Sequence, residues 1–282
     1  MSSHAELRAR AAATYNSAAD SYDASANTFW QRFGRSTIAR LELSPGMHVL
    51  DVCAGTGASA IPAAEAVGPQ GRVVAVDVAD ALLALLKRKA DARGLRQIEV
   101  RSQDLLALDP VREQFDAVVC VFGIFFLADM VEGTRRLWSL VRPGGRMAIT
   151  TWGPNAFEPG NSAFWTAVRR ERPELDRGFA PWDLITEPEA LRQLLLDAGV
   201  PAPEIEPEPA MHPLASPQAW WALVMGSGYR ATIDRLDEEG RERVRAANLE
   251  FVAQNGIAAI EANVLYAMAR KPHDPHARNQ GQ

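Results

Sequence analysis

The 282-residue chain, 47% apolar and 23% charged, is long enough for one large α/β domain with added elements but tight for two unrelated domains. That composition excludes wholesale disorder, and a formal net charge of -5 offers no positive footprint for a polyanion, which argues against a nucleic-acid partner. The opening MSSHAELRARAAATYN lacks an apolar signal core and no run reaches bilayer-spanning length, so a cytoplasmic protein is expected. Cys53 and Cys120, the only two cysteines, lie in apolar runs; they read as buried thiols, and without clustered histidines they leave no zinc-ligand spacing, so no metal is expected.

From about Ala5 to Leu43 the pattern is helical in two stretches. Tyr15, Ala19 and Tyr22 share a face of the first, and Phe29, Trp30, Phe33, Ile38 and Leu41 follow in the second. Ser44-Pro45-Gly46 breaks the pattern. The runs HVLDVCA, RVVAVDV, IEVRSQ, FDAVVCVF and RMAITTW then alternate with helical segments, which predicts a doubly wound α/β domain with a mostly parallel sheet and ligands at the carboxyl ends of its strands. After Trp152 an insert rich in Pro and Trp runs to about Ile185. Thr186 and Glu189 have the spacing of a capping box for the helix EPEALRQLLLDAG, which Gly199 can end. EIEPEPAM reads as an edge strand because of Pro207 and Pro209. A helical stretch from Pro217 to about Ala253, broken near Gly226 and Gly228, precedes a last strand, ANVLYAMAR, and HDPHARNQGQ reads as a disordered tail. The expected division is a helical lid over 1–43, a cofactor-binding core over 44–152, a cap insert with the last helices and strands over 153–272, and a tail over 273–282.

The segment VLDVCAGTGASA sets Gly55, Gly57 and Ala60 between a strand and a helix in the G-x-G-x-x-G/A pattern of a cofactor loop. Asp77 ends the next strand at the usual distance of about 20 residues, where a carboxylate can accept both hydroxyls of a ribose. Dinucleotides and S-adenosylmethionine both carry a ribose, so Asp77 does not separate them. Asp51 does. It ends the first strand where a dinucleotide would bring its pyrophosphate, and a carboxylate there repels phosphate but helps hold the cationic amino-acid end of S-adenosylmethionine. Asp104, after the third strand, can accept a hydrogen bond from the adenine amine. A single Asp at a strand end is most often a cap or turn residue. Three at neighbouring strand ends match methionine, ribose and adenine in turn.

The stretches YNSAADSYD, LSPGMHVLDVCAGTG, VVAVDVA, QDLLAL, FDAVVCVFGIFFLAD and LVRPGGRMAITTW resemble class I S-adenosylmethionine-dependent methyltransferases, specifically the group of ubiquinone/menaquinone-type and related small-molecule enzymes. The resemblance implies a seven-stranded sheet with ANVLYAMAR antiparallel, and a lid in which Tyr22 and its helix close over the cofactor. It implies a cofactor site made by Tyr22, Asp51, Cys53, Gly55, Gly57, Asp77, Val78, Asp104, Leu105, Cys120 and Phe122. Two positions depart from the family pattern. Cys53 replaces the first glycine of the loop, and Phe125 and Phe126 stand where relatives often show histidines, so no base is expected there.

Methyl transfer from a sulfonium is an in-line displacement, so an apolar, water-poor pocket holding the nucleophile about 3 to 3.5 Å from the methyl supplies much of the rate. Six of the seven tryptophans lie outside His48 to Gly145. Each alone reads as cap packing; together they predict an aromatic lid for a flat or hydrophobic small molecule, with Tyr15, Phe125, Trp152, Trp182 and Trp221 lining the pocket. The nucleophile stays open between carbon, oxygen and nitrogen. His4, His273 and His276 fall in expected tails and His48 at the far end of the first strand, which leaves His212 as candidate base, although Pro213 beside it fits a plain turn. Two other readings remain: an NAD(P)-dependent oxidoreductase on the same loop, for which no Tyr-x-x-x-Lys pair exists, and a catalytically silent protein that keeps the fold.

Overall fold

The structure is a computed structural model that describes residues 4–176, 178 and 180–273. Its strands are β1 (His48–Val52), β2 (Arg72–Asp77), β3 (Ile98–Ser102), β4 (Phe115–Val121), β5 (Val141–Trp152), β6 (Glu204–Glu208), β7 (Met211–Pro213), β8 (Ala259–Glu261) and β9 (Val264–Arg270). Seven of them form one sheet in the order β3-β2-β1-β4-β5-β9-β6, and β7 pairs with β8 apart from it. The pairings from β3 to β5 are parallel, and β9 runs antiparallel between β5 and β6. The seven-stranded, mostly parallel sheet expected from the resemblance is therefore the one found, with a helical amino terminus ahead of it.

Side-chain alternation places helices on both faces. Leu50, Val52, Val118 and Ile149 enter one buried cluster, while Val49, Val73, Val119 and Ala148 enter the other. The first cluster is closed by α5 (Met130–Ser139), α7 (Pro188–Asp197) and the cap; the second by α3 (Ala60–Val67) and α4 (Asp80–Ala92). Helix α4 follows from its sequence. Leu82, Leu83, Leu86 and Ala90 recur at helical spacing and are buried, Asp80 opens its first turn and Lys89 closes its last, in the sense that the helix dipole favours. The β3 edge carries the ion pairs Arg72–Glu99 and Arg101–Glu113, charged groups that discourage pairing with another chain.

The helical stretches at either end become α1 (His4–Tyr22), α2 (Phe29–Arg40), α6 (Gly160–Glu171), α8 (Pro217–Met225), α9 (Arg230–Ile233) and α10 (Glu238–Gln254). Three expectations need correction. His4 opens α1 instead of lying in a tail. The capping box of Thr186 and Glu189 does not form: α7 is capped by Glu187 with no side-chain bond, and Pro188 in its first turn has no N–H to satisfy. EIEPEPAM is divided, with β6 ending at Glu208 on the sheet edge and Met211 passing into β7. The expected tail, apart from His273, lies outside the described residues, and His276 with it. No helix among the described residues is long and apolar enough to cross a membrane.

Candidate cofactor and acceptor site

The parallel register brings the ends of β1, β2 and β3 side by side, and three carboxylates with them. Asp51 is fully buried. Its Oδ2 accepts the Ser59 hydroxyl at 2.7 Å, and its Oδ1 has no partner among the described residues. Burial, reinforced by the nearby Asp77 charge and opposed by the Ser59 hydroxyl and, more weakly, the Ala60 backbone amide, pushes the Asp51 carboxyl up to about 7. Asp77, half-buried, accepts the amides of Gly55 at 2.8 Å, Val78 at 2.7 Å and Ala79 at 2.9 Å. Burial raises its pKa and these three amides hold part of the rise back. Asp104 caps a short 3-10 turn, Leu105–Ala107, by accepting the Leu106 amide at 2.8 Å. Its other oxygen lies 2.8 Å from Nε2 of His4 and 3.6 Å from Nε of Arg8. The position given to adenine is therefore contacted by α1.

Between β1 and α3 the chain turns through left-handed backbone at Cys53 (φ 58°), Gly55 (φ 51°) and Gly57 (φ 91°). A Cβ at Gly55 would meet the Tyr22 hydroxyl at 3.3 Å, so Gly55 faces the lid. A Cβ at Gly57 would meet Leu86 Cδ1 at 2.3 Å, so a side chain there would press into the core. Phe122, at the end of β4, is also left-handed (φ 53°). Two non-glycine residues in this region at the ends of adjacent strands mark strain where the ligand is expected. The Cys53 and Cys120 thiols are free, as expected, and touch: their contact, then burial, pushes the Cys53 thiol well up, which keeps it protonated and inert.

Helix α1 lies across these strand ends. Asn16 accepts the Ala81 amide at the start of α4, and Asp23 accepts the Thr56 hydroxyl at 2.8 Å and pairs with Lys89 at 2.9 Å. These bonds set Tyr22 over the glycine loop and Tyr15 beside it, ring centroids 6.1 Å apart. Beyond Tyr22 is a cage of rings with a cavity of about 20 Å³, room for about one water. Tyr15, Phe125, Trp152 and Trp182 line it, and Phe122 joins them, stacked on Trp152 at 4.0 Å. Trp221 does not: it packs on the hydrophobic cluster from α8, outside the cage. Trp30, Phe126, Phe157 and Tyr229 were not anticipated as lining. Trp30 lies on the aromatic stretch visible in the sequence; Tyr229 follows two glycines with no periodic pattern to point to it. Trp182 also borders an open cleft of about 510 Å³, with Trp165, Asn161 and Glu158 on its walls.

His212 is buried on β7 and does not line the cage, from which Phe29 separates it. Its Nε2 lies 2.6 Å from the Ala26 carbonyl oxygen and its ring meets Phe29 edge-on at 5.1 Å. Burial lowers its pKa, the Ala26 carbonyl opposes the fall, and a neutral imidazole donating from Nε2 fits this place. It fastens the turn between α1 and α2.

The family described as a methyltransferase domain matches residues 49–145, from β1 to the start of β5. Over 113 residues the chain is 34% identical to a demethylmenaquinone methyltransferase of Bacillus cereus, covering 40% of this chain and 48% of that protein. Over 137 residues it is 32% identical to the aklanonic acid methyltransferase DauC of a Streptomyces species, covering 49% and 62%. The chain thus spans about half the length of the curated relatives it matches. A solved structure of Haemonchus contortus phosphoethanolamine N-methyltransferase 2, in complex with phosphomonomethylethanolamine and S-adenosylhomocysteine, has a TM-score of 0.53 at 17% identity, covering 86% of this chain and 53% of that one. Residues 49–145 are therefore similar to a methyltransferase domain, and the sheet shares the fold of that solved structure.

Proposed function

We propose that the chain transfers the methyl group of S-adenosylmethionine to a small, flat or hydrophobic acceptor. The observation that carries this is Asp51: a fully buried carboxylate with one oxygen unpaired, at the strand ends that also carry Asp77 and Asp104. A buried carboxylate of this kind calls for a cation or a donor and disfavours a pyrophosphate. The donor set fits S-adenosylmethionine, with Asp51 toward its ammonium, Asp77 toward the ribose and Asp104 toward adenine once His4 gives way. When bound, the cofactor supplies an electrophilic methyl group on a sulfonium.

The chain's own residues position and dry the site. Tyr15 and Tyr22 cover it, and burial pushes both phenols up, so neither serves as a base at neutral pH. Phe125 and Phe126 supply ring surface at positions where a base would need an imidazole. Proximity in a water-poor cage then carries the rate, as an in-line displacement with dispersing charge allows. The open cleft shared through Trp182 accommodates the rest of the acceptor, and a cage this small fills only if α1 or Trp182 swings outward. Relatives named for demethylmenaquinone and aklanonic acid support a small-molecule acceptor. The test is transfer of label from methyl-labelled S-adenosylmethionine to a panel of small aromatic phenols, amines and quinols. Label transfer that Asp51→Ala abolishes supports the reading; cofactor binding with no transfer across the panel favours a silent protein.

A further inference from the structure

We propose that the indole N–H of Trp30 positions the methyl acceptor by donating a hydrogen bond to an oxygen on its ring system, which makes the acceptor a flat, oxygen-bearing aromatic or conjugated molecule. The inference rests on the reading of the cage as the acceptor pocket. Trp30 is 6% exposed and lines that cage, yet its Nε1 has no hydrogen-bond partner among the described residues. A buried donor left unpaired is rare in a native protein and marks a strained or ligand-binding position. Two other polar groups of the cage wall are paired within the protein: Tyr229 donates to Asn161 Oδ1 at 2.7 Å and Ser227 to the Val224 carbonyl at 3.4 Å.

Trp30 has little freedom to find a partner by turning. Its ring stacks on Tyr22 at 5.1 Å with 3° between planes, and Phe29, Phe122 and Trp152 hold it at 4.4, 5.6 and 5.9 Å. Of these rings only Tyr22 carries an acceptor oxygen, which lies over Gly55 and does not pair with the indole N–H, so the acceptor atom has to arrive with the ligand. An indole N–H only donates, which selects a carbonyl, phenol or enol oxygen over an ammonium or a bare hydrocarbon. The surrounding faces favour a flat body in offset or edge-on contact. Trp30 groups with rings from β4, β5 and the cap, whereas Tyr22 intervenes toward the glycine loop, which favours the acceptor over the cofactor as the partner.

The test compares 2-naphthol with naphthalene, by equilibrium dialysis against the full chain and against Trp30→Phe, which keeps a ring and removes the N–H. The wild-type protein should prefer 2-naphthol by roughly three- to tenfold, the range of one neutral hydrogen bond, and the variant should bind the two alike. S-adenosylhomocysteine affinity should stay within about twofold in the variant, as expected for a bond that does not involve the cofactor. In protein carrying nitrogen-15 tryptophan, the indole resonance lost in Trp30→Phe should move downfield with 2-naphthol and not with naphthalene, a readout that packing alone does not produce. No preference in the wild type, a preference kept in the variant, or an unmoved indole resonance overturns the proposal. A parallel loss of S-adenosylhomocysteine binding also overturns it, by assigning the N–H to the cofactor. If the wild type fails to bind S-adenosylhomocysteine at all, the methyl-transfer reading falls, while the naphthol comparison still decides the role of Trp30.

Discussion

Asp77 Oδ2 accepts the amide of Gly55 at 2.8 Å, which ties the end of β2 to the loop that leaves β1. The residue assigned to the ribose by its chemistry therefore also shapes the glycine loop. Asp77→Ala should weaken S-adenosylhomocysteine binding by roughly 2 to 3 kcal/mol and lower the melting temperature as well, since backbone amides lose their acceptor. Asp77→Asn should be nearly as weak, because an amide group cannot accept at both of its ends. Wild-type affinity in the Asn variant, measured by calorimetry, would remove Asp77 from the site.

Asp51 gives a pH dependence of defined sign. Its ordinary value is 3.8 and its folded value about 7, so the folded protein holds the extra proton between the two. The stabilising contribution is complete below the lower value and is lost as pH rises through the higher one. Asp51→Asn should then melt above the wild type at pH 8, with the gap narrowing as pH falls below 7 and closing only near 3.8, while its S-adenosylhomocysteine affinity falls by more than about tenfold, the scale of a lost charged hydrogen bond. The cofactor's ammonium favours the ionised carboxylate, so wild-type affinity should rise from pH 6 to pH 8 with proton release, visible as a buffer-dependent binding heat. Affinity flat across that range would separate Asp51 from the ammonium.

Gly57 is a stability position. A side chain there would need φ near 91° and would press its Cβ against Leu86 Cδ1 at 2.3 Å. Gly57→Val should cost about 3 kcal/mol or more in folding free energy, read from denaturant unfolding, because strain and overpacking add. A variant that unfolds like the wild type and loses only cofactor affinity would return Gly57 to the ligand face.

The sheet was legible because its evidence is local: Val-rich runs bounded by turns, a glycine loop between a strand and a helix, and aspartates at three strand ends. The edge strand was legible from Pro207. What was not legible depends on contacts distant in sequence. Whether Gly57 faces ligand or core is decided by Leu86, and whether His212 is a base or a clasp by Ala26. The capping box fails because Pro188 starts the helix one residue later than a Thr186 cap requires, which leaves Glu187 at the cap. Trp221 and Trp220 look alike in the sequence, yet neither lines the cage; Trp220 is buried with its Nε1 donating to Asn248 at 2.9 Å. Trp30, Phe157 and Tyr229 meet in one cage only after the cap folds over the sheet.

His212→Ala should change turnover less than tenfold, far short of the roughly 10²- to 10⁴-fold that loss of a general base brings. Its effect should appear in stability, a loss of about 1 to 3 kcal/mol from the Ala26 hydrogen bond and the Phe29 contact. A turnover loss of more than a hundredfold, with a pH profile that loses its acidic limb, would make His212 the base after all.

In the function proposed, the row of carboxylates holds S-adenosylmethionine and rejects a dinucleotide. The most direct measurement is calorimetric titration of the full chain with S-adenosylhomocysteine, NAD and NADP under one buffer at pH 8, where Asp51 is ionised. One-to-one binding of S-adenosylhomocysteine is expected, with no saturable heat from either dinucleotide. Tight binding of NADP with no response to S-adenosylhomocysteine would contradict it.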